Sequence, residues 1–238
     1  DGMFYYAMEY LEGLNLDALV SNHGRLPEGR IIHILRQACA SLAEAHARSL
    51  VHRDIKPHNI FLTRRGDVPD FVKVLDFGLV KARNTENQLE LTGANVSAGT
   101  PLYMSPEAVE RPDRVDARSD LYSLGAVGYF LLTGETVFFG ASIGEVLIQQ
   151  VKATPEKPSE RLRKPVSPDL EELILRCLAK DPSARPANAR ELEEALGRCA
   201  AAGQWNREEA EAWWRQFDAT RLERTVVVPQ ASPVTAPA

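Results

Sequence analysis

The sequence predicts a mainly α fold of the α+β class, on three observations. Beyond Pro27, residues Ile31, Leu35, Ala38, Leu42 and Ala45 recur at three- and four-residue steps, the period of one helix face. From Ser119 to about Ala202 the chain reads as helices separated by Pro- and Gly-marked breaks. Between these helical stretches lie two short β-prone runs, "IFLT" and "VKVLDF", bracketing a turn at Arg65-Gly66-Asp67.

In chain order, "MFYYAMEYL" (Met3 to Leu11) follows the turn dipeptide "DG" and is rich in aromatics, which predicts a strand. "EGLNLDALVSNHG" predicts a short helix stopped near Gly24. Pro27 suits the first position of the long amphipathic helix, where its missing N–H costs nothing. Lys81 to Val96 is polar and without periodicity, the pattern of a mobile loop. "LGAVGYFLL" (Leu124 to Leu132) is the longest apolar run, about half the roughly 20 residues a membrane span needs, and predicts a buried helix. Asn206 and Glu209 form a capping box ahead of "NREEAEAWWRQF". The closing "VVVPQASPVTAPA" is Pro/Ala-rich, the composition of a linker or disordered tail.

Composition narrows the function classes. Lys+Arg 28 against Asp+Glu 33 gives the 238-residue chain a formal charge of −5 with no basic block, so a nucleic-acid partner is not expected. Cys39, Cys177 and Cys199 are odd in number and far apart, as core residues of a reducing compartment are, and the expected location is the cytoplasm.

"VHRDIKPHNIFL" (Val51 to Leu62) concentrates chemistry on one loop. Any one of its polar residues alone reads as a turn former or a cap. Together, H-R-D-x-K-P-x-N followed one strand pair later by D-F-G has a consistent logic. Asp54 is placed to orient a hydroxyl nucleophile and accept its proton, and Lys56 to reach the phosphoryl group being transferred. Asn59 and Asp76 offer hard oxygen ligands for magnesium. Phosphoryl transfer needs mainly positioning and charge neutralisation, and these residue types supply both.

These motifs resemble the eukaryotic-like, bacterial-type serine/threonine protein kinase family over nearly all of residues 3 to 200. "HRDIKPHN" is similar to the catalytic loop, "DFG" (Asp76, Phe77, Gly78) to the metal-binding motif, and "GTPLYMSPE" to the end of the activation segment. "SDLYSLG" resembles the helix whose Asp120 braces the catalytic loop that holds His52 and Arg53. "DPSARP" resembles the segment whose Arg185 pairs with Glu107. Small-molecule phosphotransferases share the catalytic Asp and Asn but generally lack the "SPE" segment.

The resemblance implies a kinase-like large lobe: a helical bundle with short β-hairpins at the catalytic loop and one remnant small-lobe strand. Its implied domains are 1–13, small-lobe remnant and inter-lobe linker, and 14–202, the C-terminal lobe. A Trp-rich helix at 203–222 and a linker or disordered tail at 223–238 follow. It implies ATP and magnesium, with manganese as an alternative ion, and protein substrates phosphorylated on Ser or Thr. Thr100 matches the residue that hydrogen-bonds the catalytic Asp and Lys in the serine/threonine class, although a turn threonine before Pro101 would look the same. Met8, Glu9, Leu11, Asn15 and Phe61 match the ATP cleft, with backbone groups of Glu9 and Leu11 meeting adenine; plain core packing explains the apolar members equally well. Arg53, expected on the buried side, implies control by activation-loop phosphorylation, at Thr92 first, then Ser97, with Thr85 a further candidate.

The same resemblance calls for a glycine-rich loop, a strand lysine and a helix glutamate, and none of these motifs lies among the 238 residues. The first residue is Asp1, so the small lobe is expected upstream of it. Two readings stay open: the large lobe of an active kinase, inactive without its N-terminal lobe, or a catalytically idle lobe that binds partners. Intact Asp54, Asn59 and Asp76 favour the first. Trp205, Trp213, Trp214 and Phe217 either pack back on the lobe or form a docking site.

Overall fold

A computed structural model of the chain describes residues 9–77 and 100–226, with the backbone alone at 100 and 221–226. Strand β1 (Gly13–Asn15) leads directly into helix α1 (Leu16–His23). The expected helix over 12–24 is therefore corrected at its start. Asn15 is extended and accepts the Ala18 N–H at 2.8 Å, so the helix can begin only after it. The residues before it pair with a strand. Gly13 adopts φ 148, and a Cβ there would overlap the Leu62 carbonyl oxygen; only glycine permits this approach. The strand expected over Met3 to Leu11 lies mostly outside the described residues, and Glu9 to Glu12 are not in a strand.

Pro27 precedes α2 (Glu28–Ala47) as its cap residue, one position earlier than expected. α2 buries Ile31, Leu35, Ala38, Leu42 and Ala45, the predicted face. A short 3₁₀ turn (Pro57–Asn59) opens β2 (Ile60–Arg65), which turns at Gly66 into β3 (Val68–Val74). The sheet is antiparallel in the order β1-β2-β3, with Leu14 opposite Leu62 and Leu62 opposite Val72. β3 starts four residues earlier than the expected strand and stops before Leu75. It is an edge strand, so Pro69, which lacks an N–H, is tolerated within it. Its end is set by Leu75, whose N–H turns back to the Asn59 carbonyl at 2.8 Å.

The helical half begins with α3 (Pro106–Glu110) and α4 (Ala117–Thr133). α4 is capped by Asp116 at one end and by Gly134, at φ 79, at the other, and every residue from Ser119 to Thr133 is buried. Helices α6 (Pro158–Leu162) and α7 (Pro168–Cys177) pack on it with α2, while α5 (Ile143–Lys152) packs on α3 and α8 (Ala189–Arg198) on α2. Where α4 meets α7, a Cβ at Gly125 would come within 2.5 Å of the Cys177 Cβ, so glycine sets the close packing of the two helices. All three cysteines are buried free thiols, and burial raises their pKa, as inert core residues require.

Helix α9 (Arg207–Val226) closes the described chain. Its capping box is formed reciprocally: Glu209 N–H to Asn206 Oδ1 at 3.1 Å, and Asn206 N–H to Glu209 Oε2 at 3.0 Å. It packs on β3, with Trp214 buried in the common core and Trp213 and Phe217 against it. No helix among the described residues is long and apolar enough to cross a membrane.

Candidate active site

The loop from Val51 to Lys56 joins the end of α2 to the 3₁₀ turn, and α4 holds it from beneath. Asp120, 1 % exposed in the first turn of α4, accepts the backbone N–H of His52 at 2.8 Å and of Arg53 at 2.9 Å. His46, on the last turn of α2, adds a third contact to Asp120 at 2.8 Å. One buried carboxylate thus takes up the donors that an irregular loop leaves unpaired.

His52 is fully buried and ties the loop to the end of β3. Its Nδ1 accepts the Asp54 N–H at 3.2 Å, so Nε2 carries the proton and donates to the Leu75 carbonyl at 2.7 Å. The ring is therefore the neutral Nε2–H tautomer, locked at both nitrogens. Phe77 packs edge-on against it, 4.7 Å between centroids. Arg53 and Asp76 both hold left-handed backbone, φ 67 and φ 62, which few non-glycine residues adopt. The two strained positions flank the same site. Contrary to expectation, the Arg53 side chain is exposed: its N–H is spent on Asp120, and the left-handed turn directs the residue outward.

At the centre, the Lys56 ammonium lies 2.9 Å from Asp54 Oδ2. Asn59 Nδ2 donates to the same Oδ2 at 3.0 Å and to the Asp54 carbonyl at 2.8 Å. This double donation fixes the amide orientation and leaves Asn59 Oδ1 as its oxygen for a cation. Asp76 is an exposed carboxylate just beyond β3. An oriented amide oxygen and a carboxylate are the donor set a magnesium ion takes, so the residues present fit that ion. Among the described residues no cluster of three or more His, Cys, Asp and Glu side chains forms a metal site of another kind.

Residues expected at an ATP cleft fall on β1, β2 and the segment before them. Asn15 and Phe61 sit opposite one another across β1–β2, and Phe61 is half-buried. Glu9 is exposed and ion-paired with Lys73, the β3 residue opposite Phe61; Leu11 is half-buried. Asn15 Oδ1 is committed to capping α1. Met8, Gly78, Thr85, Thr92 and Ser97 lie outside the described residues, as does the Thr100 side chain.

Below the site, Arg185 and Glu107 form a bidentate pair with both N–O distances 2.7 Å. Burial pushes the Glu107 carboxyl up, but hydrogen bonds from Arg185 and Ser119 outweigh it and hold the carboxyl below its ordinary range. Gln150, fully buried on α5, donates to the carbonyls of Leu102 at 2.8 Å and Pro101 at 3.2 Å, while Ser123 on α4 donates to that of Tyr103. Three successive carbonyls of this segment are thereby fixed. Neither Gln150 nor His46 carries a local sequence signal; each is an ordinary helix residue until its partner, far along the chain, is known.

The arrangement can hold a hydroxyl against Asp54, a cation at Asn59 and Asp76, and a phosphoryl group near Lys56. The chain matches the protein kinase domain over residues 1–196. It is 43% identical over 193 residues to the serine/threonine-protein kinase pkn3 of Myxococcus xanthus, covering 79% of this chain and 35% of that protein. It is 40% identical over 193 residues to the serine/threonine-protein kinase PknB of Mycolicibacterium smegmatis, covering 81% and 30%. The chain thus spans about a third of the length of these relatives. Among solved structures it resembles Rad53 in complex with AMP-PNP, with a TM-score of 0.63 and 26% identity over 79% of this chain and 45% of that one.

Proposed function

Because the chain belongs to the protein kinase domain family, we propose that it is the large lobe of a bacterial-type serine/threonine kinase that transfers the ATP γ-phosphate to protein hydroxyls. The observation that carries the reading is the joint constraint of Asp54, Lys56 and Asn59: the side chains of Lys56 and Asn59 converge on one carboxylate oxygen of Asp54. Asp54 orients the substrate hydroxyl and takes its proton as the new O–P bond forms and the bond to the leaving ADP breaks. Lys56 lies against the transferred group, and Thr100 braces Asp54 and Lys56. Asn59 and Asp76 hold magnesium, which when bound neutralises phosphate charge. Met8, Glu9, Leu11, Asn15 and Phe61 supply the adenine side of the cleft. Phosphorylation at Thr92 or Ser97 answers the exposed Arg53 charge.

These residues supply the base, the ion ligands and the floor of an ATP site; the glycine-loop amides and strand lysine that cover the phosphates are not among them. Losing one well-placed donor to the transferring group costs about a hundred- to a thousandfold in rate. The 238 residues alone are therefore expected to show at least about a hundredfold less autophosphorylation than the same residues fused behind a matching small lobe. Labelled-phosphate transfer from ATP measures both. Comparable transfer by the two, abolished in each by Asp54→Asn, would show that this chain completes the site unaided.

Substrate choice is expected not to depend on arginines shortly before the acceptor. Relatives with that preference often place glutamates where this chain has Asn15 and His58. Here Asn15 caps α1, and His58 lies 3.5 Å from Asp17. Neither offers a guanidinium a bidentate carboxylate. A peptide library enriched in arginine two or three places before the phosphorylated residue would refute this.

A further inference from the structure

A buried charge pair lies outside the candidate active site, and the proposed chemistry leaves it unused. Arg30 on α2 and Asp70 on β3 are 1 % and 0 % exposed by side chain and joined through two 2.9 Å hydrogen bonds. Trp205 donates its indole N–H to Asp70 Oδ2 at 2.8 Å, and Trp214 donates to Oδ1 at 2.7 Å. The Arg30 guanidinium lies over the rings of Trp213 and Trp205, 3.9 and 4.6 Å from their centroids. Burying a carboxylate is costly unless it is paired and hydrogen-bonded throughout. Two of the four donors that satisfy Asp70 come from a segment 135 and 144 residues further along. Asp70 also holds φ 49, a strained backbone that persists only where its surroundings over-determine it.

Around this anchor, α9 grips the β2–β3 hairpin at further points. Asp218 pairs with Arg64 of β2 at 2.8 Å, and Arg207 with Asp67 of the turn at 3.2 Å. The opposite end of the hairpin is the candidate active site. β2 begins at Ile60, next to Asn59, and β3 ends at Val74, two residues before Asp76. Ladder pairs Phe61–Lys73 and Ile60–Val74, followed by the Leu75 N–H to Asn59 carbonyl bond, run from the gripped end to those ligands.

We propose that Asp70 is a positioning residue for phosphoryl transfer: by docking α9 on the hairpin, it sets the relative placement of Asn59 and Asp76. The proposal rests on the reading of those two residues as ion ligands. Linkage then requires reciprocity: the factor by which docking tightens ion and nucleotide binding is the factor by which binding tightens docking.

Trp205, Trp213 and Trp214 are the chain's three tryptophans, so its intrinsic fluorescence reports the state of this clasp. Two variants of the intact protein test the coupling. Asp70→Asn keeps the shape and removes the charge. The double variant Trp205→Phe with Trp214→Phe keeps apolar volume, removes both indole donors and leaves Trp213 as reporter. Mn²⁺ binding with a non-hydrolysable ATP analogue is read by electron paramagnetic resonance. Each variant is expected to weaken it about fivefold or more, the low end of coupling between sites. In the unmodified protein, Mg²⁺ with the analogue is expected to raise the urea midpoint of the tryptophan signal. A purely structural clasp would shift the fluorescence and leave ion affinity alone, which would overturn the proposal. The double variant secures the test if Asp70→Asn does not fold. Asn59→Ala separates the two layers. Mn²⁺ binding unaffected there overturns the ligand reading; binding lost there but unchanged in both clasp variants overturns the positioning role alone.

Discussion

Asp54→Asn, made with a small lobe in place, is expected to cut turnover by about two to four orders of magnitude, the contribution of a lost general base. The substitution is close to isosteric. The Asn59 contact to the backbone carbonyl at position 54 does not depend on the side chain, and the loop stays pinned by Asp120 through the N–H groups of His52 and Arg53. What changes is the acceptor for the hydroxyl proton and the charge facing Lys56. The loss should therefore appear in kcat, with nucleotide binding little altered. Near-full transfer by the variant would remove Asp54 from the mechanism. An equal loss of nucleotide binding would assign it a binding role instead.

The largest expected effect on stability is at Arg185. All five of its N–H donors are used: two on Glu107, and one each on the carbonyls of Ala179, Arg118 and Lys180. Its guanidinium also lies 4.9 Å from the Tyr122 ring centroid. Arg185→Ala leaves the largely buried Glu107 carboxylate with Ser119 as its side-chain partner and frees those carbonyls. Breaking a buried pair in this way costs about 3–5 kcal/mol. Urea denaturation should show a lower midpoint with an unchanged slope.

The pH dependence has a definite sign. Glu107 is held below its ordinary 4.5 in the folded state, so its contribution is complete above that value and is lost as pH falls through the lowered folded pKa. The gap between the parent and Arg185→Ala should be full at neutral pH and narrow only in acid. A gap that stays constant from pH 7 down to pH 3 would show that the pair's charge contributes nothing.

The sequence by itself determined which polar residues the candidate site brings together on its loop, because that grouping is local. Asp54 and Asn59 are five positions apart, and a loop closed by a 3₁₀ turn places their side chains within a hydrogen bond. The buried face of α2, the apolar α4 and the capping box of α9 were legible for the same reason: helix periodicity and caps are set within a few residues. Glu107 and Arg185 lie 78 positions apart, and only the order of motifs, not any local pattern, joined them.

Tertiary structure alone decided the rest. Gly13 to Asn15 open the stretch from Glu12 to Gly24 that predicts a helix, yet become a strand because β2 offers backbone groups that glycine can approach closely. No local pattern in the sequence marks Asp70. It is nonetheless fully buried, because Arg30 precedes it by 40 positions and two tryptophans follow it by more than 130. A charge is buried when distant partners supply its hydrogen bonds, and the chain around it carries no trace of them.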